Sequence, residues 1–223
     1  MITFENVRCN NLSIDFLTIP EGVTSVIGAN GSGKTTLLKA CAGITLPDTG
    51  RIQIDGVSPR ETETGWVNEF PDRNILFTRV SDEIASALRF RHVPCDTTEA
   101  WVTAQMEDMG IRPLKNRLMR ELSGGEKILV ATGAALIHRP RVLVMDEYDS
   151  HLDGKKVEEL EGVIRKSSVP YVIRCTQQME TAALGDFVLF LEDGRVRYSG
   201  TPESVFSSLK NTPFYPFSWK ITP

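Results

Sequence analysis

One stretch of this chain limits its fold more than any other: Gly28-Ala29-Asn30-Gly31-Ser32-Gly33-Lys34-Thr35, followed by Thr36. It satisfies the pattern GxxxxGK[ST], and its context gives that pattern a physical meaning. The apolar segment Val23-Thr24-Ser25-Val26-Ile27 before it reads as a buried strand, and Thr36-Leu37-Leu38-Lys39-Ala40-Cys41-Ala42 after it opens a helix. A glycine-rich loop between strand and helix lets backbone N–H groups close around phosphate oxygens, and the helix N-terminus adds partial positive charge. Lys34 is then placed to reach the β- and γ-phosphates, and the Thr35 hydroxyl to bind Mg²⁺. The stretch Gly28–Thr36 therefore predicts nucleoside triphosphate binding.

Composition narrows the rest. A chain of 223 residues with 41% hydrophobic residues can bury a real core, as one compact domain or a core with a sizeable insertion. A net charge of −4 offers no basic field to neutralise a phosphate backbone, so no nucleic-acid partner is expected. Cys9, Cys41, Cys95 and Cys175 show no CxxC or metal-ligand spacing and read as reduced thiols. Met1 opens directly into a strand-like segment, with no secretory signal visible. No apolar run approaches the roughly 20 residues that span a bilayer, so any membrane link is expected to run through a partner.

Apolar and polar residues alternate in Ile2–Val7 and Leu12–Ile19, which predicts two antiparallel strands joined by a turn at Asn10-Asn11. Pro47-Asp48-Thr49-Gly50 reads as a break, Arg51–Gly56 as a short strand and turn, and Gly65–Phe70 as a further strand. From Ser81 to Met119 the pattern is helical, with Ser81 as a candidate N-cap ahead of the acidic first-turn pair Asp82-Glu83. Trp101, Met106 and Met109 read as core positions of a second amphipathic helix, and His138 as a surface or helix-end residue. Strand signals return at Arg141–Met145, Tyr171–Ile173, Phe187–Leu191 and Val196–Ser199, with helical patterns separating the first three. That alternation predicts an α/β fold, a mostly parallel sheet covered by helices, with a helical insertion.

Two more clusters carry chemistry. The strand Arg141–Met145 runs into Asp146-Glu147, and a carboxylate at the C-terminal end of a parallel strand lies beside the phosphate loop in this fold type. Asp146 suits Mg²⁺, and Glu147, one residue further on, suits polarising the attacking water. Upstream, Leu122-Ser123-Gly124-Gly125-Glu126 leads into a helical run, a second anion-binding helix terminus. One nucleotide does not need two such devices from the same subunit, so the second is expected to face a neighbour's nucleotide.

These motifs together resemble the ATP-binding-cassette (ABC) transporter ATPase subunits. Gly28–Thr35 matches the Walker A motif, Leu122–Glu126 the signature LSGGQ with Glu in the last place, Val142–Glu147 the Walker B strand and catalytic glutamate, and Ser150-His151-Leu152-Asp153 the D-loop. Phe70-Pro71-Asp72 and Gly200–Phe206 look most like the energy-coupling-factor and cobalt-type importer ATPases. The resemblance implies a P-loop NTPase (RecA-like) core with an N-terminal antiparallel β subdomain and an inserted helical subdomain. The core would take residues 1–78 and 140–223, and the insertion 79–139. It also implies a head-to-tail dimer around two ATP with Mg²⁺, in which Ser123, Gly124 and Gly125 serve the partner's ATP. An integral membrane transport component would complete the assembly and hold this chain peripherally on the cytoplasmic face of the membrane, and the resemblance implies import as the direction.

Four features depart from the family pattern. Glu69 stands where the family has Gln between core and insertion, and Gln177 where it has a switch histidine. Tyr148-Asp149 replaces the usual Pro-Thr, and the loop that often supplies an adenine-stacking aromatic shrinks to Asn10-Asn11. Phe4 and Phe16 read as core rather than base-stacking residues. With Lys34, Thr35, Asp146 and Glu147 in place, the expectation is a slow or partner-dependent ATPase using Glu147, Gln177 and Glu69 as its catalytic set. The alternative is a degenerate nucleotide-binding regulatory subunit paired with an active sister. The aromatic tail Asn211–Pro223 reads either as packing on its own core or as docking on a partner.

Overall fold

The computed structural model describes residues 1–73 and 75–221. In chain order the strands and helices are β1 (Ile2–Cys9), β2 (Leu12–Ile19), β3 (Gly22–Gly28), α1 (Lys34–Cys41), β4 (Thr49–Ile54) and β5 (Thr64–Val67). There follow α2 (Val80–Ile84), α3 (Ser86–Phe90), α4 (Cys95–Asp108) and α5 (Gly124–Leu136). The chain closes with β6 (Val142–Asp146), α6 (Gly154–Lys166), β7 (Tyr171–Cys175), α7 (Met179–Ala183), β8 (Phe187–Glu192), β9 (Arg195–Gly200), α8 (Pro202–Ser208) and α9 (Phe217–Ile221).

The strands form two sheets. The larger has the order β5-β6-β7-β3-β8-β9, and all its pairings are parallel except β8 with β9. Its inner strands β6 and β7 are buried along their whole length, as strands covered on both faces must be, and are apolar apart from Asp146 and Arg174. The smaller sheet, β2-β1-β4, is antiparallel. One apolar core joins this small sheet to α1 and one side of β6 and β7 through Phe4, Leu37, Val144 and Ile173. A second joins the other side, through Leu143, Met145 and Val172, to Ile84, Met106 and Ile128 of the helices between β5 and β6. Among the described residues no helix is long and apolar enough to cross a membrane.

Several sequence expectations need correction. Phe16 is not a core residue but is 71% exposed. The β1–β2 register keeps the same offset from Glu5↔Phe16 to Val7↔Ile14, while the β1–β4 register shifts between Glu5 and Arg8, where Asn6 has φ +51°. There the burial alternation of both β1 and β2 changes phase, so Asp15 and Phe16 are exposed in succession and Phe16 faces outwards. Thr49 and Gly50 are not a break but the start of β4, because Arg8 of β1 pairs with Thr49. The strand expected over Gly65–Phe70 is shorter, ending at Val67. Arg79, not Ser81, holds the N-cap of α2, because a backbone bond from Val80 N–H to the Arg117 carbonyl at 3.2 Å pulls the helix start forward. Trp101 lies on α4 but is 41% exposed, with the Arg139 guanidinium 5.6 Å from its ring centroid, whereas Met106 and Met109 are buried as expected. His138 follows α5 yet is half-buried, and burial lowers its pKa. The tail packs back on its own chain: the Phe214 ring lies 5.1 Å from that of Phe190 and the Trp219 ring 5.4 Å from that of Phe206, leaving Phe217 exposed.

Candidate functional site

The parallel arrangement brings the C-terminal ends of β6, β7 and β3 side by side. The phosphate loop leaves β3 at Gly28, whose φ is +146° and whose Cβ, if it had one, would lie 2.2 Å from the Leu191 carbonyl oxygen of the neighbouring β8. Only glycine lets the loop start this close to the sheet. Lys34, at the first turn of α1, folds back over the loop and donates to the Gly28 and Ala29 carbonyls at 3.0 and 3.2 Å. These bonds hold the ammonium inside the cradle at a position where phosphate oxygens can replace the carbonyls.

Asp146 ends β6 directly across from that helix. Its Oδ1 accepts from the Thr35 hydroxyl at 3.4 Å. Burial pushes the Asp146 carboxyl upward, the Thr35 bond opposes this, and the neighbouring Glu147 adds to it. Glu69, on the segment after β5, is raised first by partial burial and then by Glu147 and Asp146. Two hard oxygen donors, Thr35 and Asp146, facing a site crowded by a third carboxylate are the chemistry that favours Mg²⁺.

Glu147 has backbone φ +46°, ψ +37°. A left-handed residue that is not glycine costs about 1–2 kcal/mol, so its surroundings must enforce it. Its N–H donates to the Cys175 carbonyl at 3.0 Å, and its own carbonyl accepts from Ser150 Oγ at 2.9 Å. The Glu147 carboxylate accepts from Gln177 Nε2 at 2.8 Å. Gln177 therefore holds the candidate base directly.

The sequence reading missed Asn11. From the β1–β2 turn its Nδ2 donates to the Gly31 carbonyl at 3.0 Å and its Oδ1 accepts from Thr36 Oγ1 at 3.2 Å, so it clamps the outer rim of the phosphate loop. The β8–β9 turn completes the clamp: Gly194 N–H donates to the Ser32 carbonyl at 3.0 Å, and a Cβ on Gly194 would lie 1.7 Å from the Asn11 carbonyl oxygen. No local pattern signals this contact, because three segments distant in sequence build it.

Ser123, Gly124 and Gly125 open α5, and among the described residues no hydrogen bond joins them to residues 28–36. They pack against His151 and Leu152, and the Phe70 ring lies 6.1 Å from that of His151. Ser123 caps α5: its Oγ accepts from the Glu126 N–H at 3.3 Å, while the Glu126 carboxylate accepts from the Ser123 N–H at 2.8 Å and from its hydroxyl at 2.9 Å. The Ser123 backbone bond, chiefly, lowers the Glu126 pKa below the ordinary glutamate value. A depressed carboxylate stabilises the fold above its unfolded pKa and loses that contribution as pH falls through the folded one. Ser123→Ala is expected to destabilise the protein by about 1 kcal/mol at pH 7, and by less under acid, in denaturant titrations. An equal loss at both pH values would show that the bond from the Ser123 hydroxyl to the Glu126 carboxylate contributes nothing.

A family model described as ABC transporter matches residues 11–150. The chain belongs to the ABC transporter family. Among curated proteins, this ABC ATPase is 33% identical over 203 residues to the energy-coupling factor transporter ATP-binding protein EcfA1 of Lactiplantibacillus plantarum, covering 86% of this chain and 72% of that protein. It is 32% identical over 193 residues to EcfA1 of Streptococcus pyogenes serotype M1, covering 82% and 69%. Among solved structures it superposes on cbiO1 from Clostridium perfringens, described as part of the ABC transporter complex cbiONQ, with TM-score 0.83, 28% identity and 92% and 90% coverage. The cassette MJ0796, solved as a post-hydrolysis dimer with ADP and Pi, superposes with TM-score 0.81 at 22% identity, covering 91% and 99%, and shows the shared fold. The fold of this ABC ATPase is thus that of the P-loop NTPases, and its activity is ATP hydrolysis coupled to transport.

Proposed function

We propose that this chain is the ATPase subunit of an energy-coupling-factor type importer, with turnover that is slow or depends on its membrane partner. The observation that carries this reading is the convergence of Lys34, Thr35, Asp146, Glu147 and Gln177 at the ends of three adjacent strands. In this reading Gly28–Thr36 bind the phosphates, with Lys34 neutralising their charge. Thr35 and Asp146 would hold Mg²⁺, which supplies charge neutralisation on the phosphate oxygens when bound. Glu147 accepts the proton of the attacking water, and Gln177 orients Glu147 by the hydrogen bond already described. Residues 1–78 and 140–223 act as the nucleotide-binding core. Residues 79–139 act as the helical part that meets an integral membrane component at the cytoplasmic face. The relatives named as energy-coupling factor ATPases support the transporter type, and the dimeric cassette MJ0796 of the same fold supports a second ATPase subunit. Ser123, Gly124 and Gly125 then contact the second subunit's ATP, since within their own chain they stand away from the phosphate loop.

Slow turnover follows from two side chains. Gln177 has no positive charge to offer the γ-phosphate, and Glu69 adds negative charge where charge already accumulates. Gln177→His and Glu69→Gln are each expected to raise the single-turnover rate by about tenfold or more, the scale of one transition-state donor. Single-turnover hydrolysis of Mg·ATP by excess enzyme, with and without the membrane component in vesicles, measures this. Parent rates in both variants would refute the slow-turnover reading while leaving the transporter reading intact.

A further inference from the structure

Three consecutive residues, Glu147, Tyr148 and Asp149, each form a side-chain hydrogen bond with a residue of the segment 174–177. Glu147 accepts from Gln177, the Tyr148 hydroxyl accepts from Arg174 Nη1 at 3.1 Å, and Asp149 accepts from the Thr176 hydroxyl. The outer rung is exposed at Gln177, whereas Tyr148, Arg174, Asp149 and Thr176 are all buried. Tyr148 is the keystone of the inner part. Its hydroxyl donates to Glu161 of α6, which also takes an ion pair from Arg174. Arg174 is further held by Ser25 Oγ at 3.1 Å and the Thr181 carbonyl at 2.7 Å.

We propose that Tyr148 is a positioning residue for ATP hydrolysis, fixing Glu147 and Gln177 as one rigid unit through Arg174 and Glu161. The inference rests on the reading of Glu147 as the base. The left-handed backbone of Glu147 needs both of its neighbours held. Asp146 is held by strand pairing with Cys175, and Tyr148 is held by its phenol in the buried network. On the other side Arg174 fixes the end of β7 three residues before Gln177. Removing the phenol oxygen loosens the peptide that carries the base without touching the phosphate loop.

The test is Tyr148→Phe, which keeps the ring and deletes only the hydroxyl. It is compared with Glu147→Gln and with the double variant. Nucleotide affinity and single-turnover rate are measured on each, with melting temperature confirming a folded chain. The expected result is a fall of about tenfold or more in the hydrolysis rate, with the nucleotide dissociation constant within about twofold of the parent. In the Glu147→Gln background the same change is expected to cause no further loss, because the group it positions is already gone. An unchanged rate in Tyr148→Phe would overturn the inference. So would an equal loss of affinity and rate, or a full additional loss in the double variant, since those mark a merely structural role. Wild-type hydrolysis by Glu147→Gln would instead overturn the reading beneath it.

Discussion

Glu147→Gln is expected to lower single-turnover ATP hydrolysis by about 10²–10⁴-fold, the usual contribution of a positioned general base. Its nucleotide affinity should stay within about twofold of the parent. The replacing amide has nearly the same shape, and its carbonyl can still accept from Gln177. The backbone N–H to Cys175 and the left-handed conformation of residue 147 depend on the main chain and are retained. What is lost is the capacity to take a proton. A rapid-quench measurement with excess enzyme over ATP isolates the chemical step. Hydrolysis within a few fold of the parent would remove Glu147 from the mechanism and leave Asp146 and Glu69 as the remaining carboxylates near the loop. The opposite pattern, lost affinity with the bound-state rate preserved, would mean that Glu147 serves to bind rather than to react.

The parts of this site that could be read from sequence are those built locally. The loop Gly28–Thr35 lies between its strand and its helix, and Asp146-Glu147 follow β6, because both depend on residues a few positions apart. The box around Ser123 and Glu126 is local too, which is why a Glu in the last signature position fits: its carboxylate closes on the Ser123 N–H. The exceptions share a different cause. Phe16 breaks its alternation because β1 and β2 change phase together beside the left-handed Asn6, and nothing within Leu12–Ile19 records that. Asn11 looks like an ordinary turn residue until folding brings Gly31, Thr36 and Gly194 to it. In the sequence Tyr148 is only a replacement of the usual Pro, yet in the fold it is one member of a set with Arg174 and Glu161. Such a set is legible only when all three positions are seen in one place.

That set carries the largest expected effect on stability. Arg174 is fully buried and Glu161 is 5% exposed, so the guanidinium has no solvent to fall back on. Glu161→Ala is expected to destabilise the protein by about 3–5 kcal/mol, because it strands a buried charge rather than because the ion pair itself is strong. For a chain of this size that corresponds to a fall in melting temperature of roughly 10 °C. The reason given can be separated from the size of the effect. Replacing all three members by apolar residues of similar volume, Arg174→Met, Tyr148→Phe and Glu161→Leu, removes every buried polar group of the set together. It is expected to lie much nearer the parent in stability than Glu161→Ala does. Chemical denaturation of the two variants decides the point. A triple variant as unstable as Glu161→Ala would mean that the network contributes net attraction beyond its own desolvation. Parent-like stability together with slow hydrolysis would mean that these residues are kept for the geometry they impose on Glu147 and Gln177.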